Sequence, residues 1–189
     1  MVSASAREIP HSLDLVIDFV NTLDPDEPSD GLSTPDQVRS WLVQRGLLGA
    51  QDLAVHERDR AAALRLREAM RALMFANNGA DSDASAAHEL DEVARRGQLG
   101  VAVGPDGTAR LVPRATGVAG ALASLVVPVT EAALDGSWRR VKACRADDCQ
   151  WAFYDRSRNR SGVWCEMAVC GNREKVRAYR SRSHGHERS

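Results

Sequence analysis

Cys144-Arg-Ala-Asp-Asp-Cys149 and Cys165-Glu-Met-Ala-Val-Cys170-Gly-Asn-Arg173 carry every cysteine of this chain. Each pair brackets four residues, and fifteen residues separate the pairs. Zinc prefers four soft or borderline ligands in a tetrahedron, and paired cysteines close such a site at little cost in loop entropy. Two disulfides or four ordinary thiols are the competing readings. Confinement of two equally spaced pairs to 27 residues favours a metal. Four cysteines leave no open position for water, so the expected cofactor is one structural Zn²⁺ ion on Cys144, Cys149, Cys165 and Cys170, with no catalytic role. Four thiolates around it leave a net charge of about −2, which nearby Arg or Lys can offset.

Working outward, 151–154 (Trp-Ala-Phe-Tyr) reads as a strand, followed by the polar turn SRNRSG and then Val163-Trp164. A knuckle, a hairpin and a second cysteine pair leading into a helix follow treble-clef logic. Trp151, Tyr154 and Trp164 read either as the core of this small module or as a base-stacking platform. The two histidines of the terminal HGH, His184 and His186, read as a frayed end or as metal ligands.

The net charge of −1 hides a division. Residues 1–137 carry 12 basic and 20 acidic side chains, a balance of −8, whereas residues 138–189 carry 13 and 6, a balance of +7. A basic module beside an acidic domain suggests a polyanionic partner. At 43% hydrophobic the chain can bury a real core. No apolar run is read as approaching the roughly 20 residues that span a bilayer, and the N-terminus lacks a secretory pattern. The expectation is a cytoplasmic protein with reduced thiols and no membrane partner.

The first 137 residues read as mainly helical. Leu13, Val16, Ile17, Val20 and Leu23 recur at helical spacing, giving a helix over about 12–22 that ends before the loop DPDEPSDG. Thr34-Pro-Asp-Gln37 is a helix start with a capping box, and Gly46 is its stop. A long helix is expected from Asp52 to about Ala76, with Leu53, Leu64, Met70, Leu73 and Met74 on one buried face. A further helix covers about 83–96. Alternation at Leu99, Val101 and Val103, the turn GPDG, then Ala109 and Leu111 predict a β-hairpin. The last helix, about 117–135, contains Pro128, which should kink or split it. The fold class is therefore α+β: a mainly helical N-terminal domain (1–137) with one β-hairpin, plus a small treble-clef-like zinc finger at the C-terminus (138–189).

The run Cys170-Gly171-Asn172-Arg173, preceded by Cys165, Trp164 and the segment Asp155-Arg-Ser-Arg-Asn-Arg160, resembles the CGNR zinc-finger family over about 142–182. In that family the finger often follows an ABATE domain, an α/β domain proposed to sense a ligand or stress signal. Leu15-Val-Ile-Asp18-Phe-Val-Asn21-Thr22 resembles the motif that opens it, and LRLREAMRAL at 64–73 resembles its long helix. The family is grouped with bacterial transcription regulators, so the resemblance implies DNA binding.

On the helix after Cys170, Arg173, Arg177 and Arg180 fall at i, i+4 and i+7, one basic face to which Lys175 and Arg182 add charge. Gly171 permits close approach to the knuckle, Asn172 can cap the helix, and Val176, Tyr179 and Met167 are expected to pack on the finger. Arg156, Arg158 and Arg160 in the turn add phosphate contacts. Six such contacts would give a slope of log K against log salt of about −5. The other reading of this face is a solvated surface, or one paired with the acidic domain, and Arg173 also reads as a partner of the thiolates. DNA and RNA both fit phosphate contacts. Asp18, Asn21 and Thr22 read either as a pocket for a small-molecule effector or as capping and hydrogen-bonding groups. A single small finger is compatible with a homodimer. There is no Gly-rich phosphate loop, GxSxG elbow or His-Glu metal pair, so the chain does not read as an enzyme. A regulator is weighed against a protein-interaction adaptor, in which zinc only folds a docking module, and against a small enzyme sited near Asp18 and Asn21.

Overall fold

The computed structural model describes residues 11–24, 30–49, 51 and 54–185, with residues 11, 178 and 180–185 described by backbone alone. Expectations for the N-terminus, most of the 24–31 loop, Leu53 and His186 lie outside these residues.

Helix α1, His11–Val20, buries Leu13, Val16, Phe19 and Val20, whereas Ile17 of the stripe read from the sequence is partly buried and Leu23 lies past the helix end. Helix α2, Pro35–Gln44, starts at Thr34, whose hydroxyl accepts from the Gln37 amide while Gln37 returns a bond to the Thr34 amide. Such a cap is worth about 1 kcal/mol. Helix α3, Glu57–Asn77, starts later than Asp52 because the His56 amide donates to the Asp59 carboxylate and closes a cap there. Helix α4, Ala84–Arg96, is capped by Asp83 and stopped by Gly97, where a Cβ would lie 2.1 Å from Cβ of Ala123. Strands β1, Gly100–Val103, and β2, Ala109–Val112, form the expected antiparallel hairpin.

Helix α5, Gly117–Asp135, runs through Pro128 unbroken. Proline removes one backbone donor, but Val126, Pro128 and Val129 are buried and packing holds the segment in place. The helix also corrects the expectation that no apolar stretch reaches bilayer-spanning length. It is long and apolar enough by length and composition, and half of it is buried in the core among the other helices.

A 3-10 turn, Trp138–Arg140, leads into β3, Val141–Ala143, which pairs antiparallel with β4, Ala152–Tyr154. This revises the hairpin read from the sequence. The partner of 152–154 lies before the first cysteine pair, not at Val163-Trp164 across the SRNRSG turn. The 144–149 knuckle joins the two strands, with the Cys144 amide donating to the Trp151 carbonyl at 2.9 Å. A π-helical turn, Met167–Gly171, then runs directly into α6, Asn172–Gly185. Val141, Ala143 and Ala152 belong to the main hydrophobic core with α1, α3 and α5. The small sheet is therefore packed on the helical region rather than tethered to it.

Candidate metal centre and basic surface

The Sγ atoms of Cys144, Cys149, Cys165 and Cys170 all lie within 4.8 Å of one another. Cys165 Sγ is 3.6 Å from both Cys149 Sγ and Cys170 Sγ. A disulfide needs about 2 Å, and all four cysteines are free. A tetrahedron of Zn–S bonds near 2.3 Å has sulfur–sulfur edges of about 3.8 Å, so the cluster fits one zinc ion with four thiolate ligands. The knuckle supplies Cys144 and Cys149, and the π-helical turn brings Cys170 back beside Cys165. Trp151, Phe153 and Trp164 pack around the sulfurs, whereas Tyr154 packs against the main core.

The thiols have contrasting surroundings. Burial pushes Cys149 up to about 12, and burial with the neighbouring thiols pushes Cys165 up as well. Burial also opposes ionisation of Cys170, but hydrogen bonds, that from Arg173 foremost, leave it below its ordinary value. The Arg173 guanidinium donates to Cys170 Sγ at 3.4 Å. Four thiolates this close require cationic compensation, and the bound metal would supply most of it.

Gly171 sits beneath Met167 and Trp164: a Cβ there would lie 2.4 Å from Met167 Sδ and 3.0 Å from Trp164 Cδ1. The close approach is therefore to the residues flanking Cys165 rather than to the 144–149 knuckle. Asn172 does not cap the helix as expected. The π-helical turn has already started the coil, so Asn172 is helical in backbone and its side-chain Nδ2 donates to the Ala168 carbonyl. Val176, Tyr179 and Met167 also depart from expectation, being 48%, 68% and 53% exposed. The side of α6 turned toward the knuckle carries Arg173 and Arg177 instead, because Asp148 holds both, at 3.2 Å and 2.7 Å. Arg177 also pairs with Glu174. Lys175 is exposed. Arg180 and Arg182 continue along α6, their side chains outside the described residues.

The 155–162 loop carries a different basic surface. Lys142 is buried, and its ammonium donates to Asp155 at 2.7 Å and to the carbonyls of Arg160 and Gly162. The Asp155 carboxylate in turn accepts from the amides of Ser157 and Gly162. Arg140 donates to the carbonyls of Asp155 and Ser157. These bonds tie the loop down from inside and leave Arg156, Arg158 and Arg160 exposed. Among the described residues, no carboxylate lies within ion-pair distance of these three arginines.

Asp18, Asn21 and Thr22 do not converge on one point. Asp18 pairs with Arg45 at 2.8 Å on the surface. The Asn21 amide donates to the Ala152 carbonyl and accepts from the Ala152 amide. Thr22 donates to the Phe19 carbonyl and accepts from Arg67, which also makes two bonds to Asp30. Asn21 belongs to a set of side chains by which the helical region grips the metal module. Asn77 donates to the carbonyls of Trp138 and Val141, and Asn78 to those of Ala143 and Val163. Arg71, itself buried, donates to the carbonyls of Gln150 and Val20. Sequence reading missed Arg71, Asn77, Asn78, Lys142, Asp148 and Asp155. A charge at Lys142 between apolar Val141 and Ala143 is the one local hint among them.

Comparison with protein families gives two matches. Residues 13–136 match the ABATE model, described as "Putative stress-induced transcription regulator". Residues 140–183 match the CGNR zinc finger. No curated protein matches the chain.

Proposed function

This chain belongs to the ABATE family and carries a CGNR zinc finger, and on that premise we propose that it is a DNA-binding transcription regulator. In this reading Cys144, Cys149, Cys165 and Cys170 hold one structural zinc ion. The finger binds DNA, and the helical domain senses a ligand or stress signal. The boundary near residue 137 separates the two roles, and a cytoplasmic location suits the reduced thiolates.

The observation that carries this reading is the loop of Arg156, Arg158 and Arg160. Its backbone is held by the buried Lys142–Asp155 pair, and its three guanidiniums face solvent without acidic partners among the described residues. A preordered loop loses little entropy when it meets a phosphate track, and arginine forms bidentate bonds to phosphate. Lys175, exposed on α6, adds to this surface, and the charges of Arg180 and Arg182 follow it in sequence on the same helix. Arg173 and Arg177 contribute only by leaving Asp148.

The test is retention of mixed genomic DNA fragments by the zinc-loaded protein at low and moderate salt, followed by sequencing, with an RNA pool in parallel. Retention of a shared DNA sequence, weakened by salt and lost in Arg156→Ala/Arg158→Ala/Arg160→Ala, supports the reading. Preferential retention of RNA redirects it to an RNA target, and no retention at low salt overturns it. A second reading, a zinc-stabilised protein-interaction adaptor, is favoured by the exposed Met167, Val169 and Val176 beside α6. It predicts binding that needs a protein partner and is insensitive to salt.

A further inference from the structure

A cavity of about 170 Å³ opens among the start of α3, the end of α4 and the start of α5. Its apolar lining is Ala62, Val93, Val118, Ala119 and Leu122, of which Val93 and Leu122 belong to the buried core. Two of these lining positions are alanine, and α4 and α5 approach closely nearby, at Gly97 against Ala123. Arg58 and Arg96 also line it, with side chains 83% and 60% exposed. Among the described residues, the carboxylate nearest each lies 3.8 Å from Nε, Asp59 and Glu92 respectively, too long for a hydrogen bond. The third charged lining residue is Asp59, whose carboxylate is already used by the His56 amide.

We propose that this cavity is the binding site of the helical domain for a small carboxylate with an apolar body about the size of one aromatic ring. An apolar cavity of roughly 150 Å³ takes up benzene, so the volume suits one ring or a short branched chain. The two guanidiniums sit where a carboxylate on that body would emerge, and each can bond a carboxylate in bidentate fashion. The site lies on the same helix that grips the metal module: α3 begins at this cavity and ends at Asn77, beyond Arg71. The proposal deepens the sensing half of the reading above and rests on it.

The experiment is a benzoate titration of the full-length zinc-loaded protein, followed by methyl NMR. The expected result is saturable shifts at the methyls of Val93, Val118 and Leu122. Benzamide should bind about fivefold or more weakly, as should benzoate to Arg58→Gln/Arg96→Gln, because each change removes about 1 kcal/mol of charge interaction. Ala119→Leu should fill the space and abolish the shifts. If that variant does not fold, the surface double variant carries the test. Absence of saturable shifts at these methyls, or equal binding of benzamide and benzoate, overturns the proposal. DNA retention by the same samples separates the two ideas: loss of benzoate binding with salt-dependent DNA retention intact removes this site alone.

Discussion

Arg71 of α3 donates a hydrogen bond of 2.8 Å to the carbonyl of Gln150, the residue that follows the metal-ligating candidate Cys149. Gln150 has a positive φ of 53°, an uncommon conformation for a non-glycine residue. The second arm of the same guanidinium bonds the Val20 carbonyl at the end of α1. One buried side chain thus ties two helices to the knuckle.

Replacement of Arg71 should therefore weaken the knuckle as well as the helical domain. Arg71→Met orphans the buried Val20 carbonyl, at a cost of about 1–3 kcal/mol, and also frees the part-buried Gln150 carbonyl. The predicted result is a lower melting temperature together with faster zinc transfer to a chelator. Zinc release at the wild-type rate would show that the knuckle holds its shape without α3.

Metal removal has a more limited effect than separation of the two regions. Chelation at neutral pH should make all four thiols reactive and expose 144–151 and 163–185 to protease. The helical signal of α1–α5 should largely persist, because β3 and β4 stay packed on the main core. Thiol counting with and without chelator measures this, and no change in thiol reactivity would contradict the zinc assignment.

Breaking the Lys142–Asp155 pair should be severe. Its members are 5% and 2% exposed in their side chains, and removing one partner of such a pair typically costs about 3–5 kcal/mol. Lys142→Met should loosen the 155–162 loop, detected as faster amide exchange at Ser157 and Gly162, and should lower DNA affinity even though none of its three arginines is altered.

Acid sensitivity of the helical domain should trace in part to Asp30. Burial raises its carboxyl, but the Arg67 hydrogen bonds outweigh this and leave it below the ordinary value of 3.8. A depressed carboxyl contributes stability that is fully present above 3.8 and disappears as pH falls through the lower folded value. Asp30→Asn should therefore be less stable at pH 7 and show a flatter loss of urea resistance below that point. An unchanged pH profile would dismiss the pair as a contributor.

Asp148 should oppose binding of polyanions. It occupies the guanidiniums of Arg173 and Arg177, so Asp148→Asn should tighten DNA binding at fixed salt. For the same reason Arg177→Ala should cost less affinity than Arg158→Ala. The reverse ranking, read by fluorescence anisotropy, would place the DNA surface on α6 instead of the loop.

Features set by local chemistry were legible in the sequence: the Thr34–Gln37 capping box, the two-residue alternation of the first hairpin and the spacing of the cysteine pairs. What escaped is long-range. Asn21 meets Ala152 across 131 residues, and Asn78 meets Val163 across 85. An asparagine bonding distant backbone has no spacing signature. The partner of β4 was misplaced for a related reason: β3 is only three residues long, and its inward Lys142 conceals it from a hydrophobic pattern. Arg173 and Arg177 fall on one side of α6, as their spacing predicts, but that side meets Asp148. Its orientation depended on Asp148, which the sequence presents as one acid among several in the knuckle.

DNA binding through the tied-down arginine loop should show most plainly in the salt dependence of affinity. Fluorescence anisotropy of the zinc-loaded protein on a retained DNA fragment gives the slope of log K against log salt. Arg156→Ala/Arg158→Ala/Arg160→Ala should make that slope shallower by about 2.7, from three lost phosphate contacts at about 0.9 each. An unchanged slope in a triple variant that still holds zinc would contradict it.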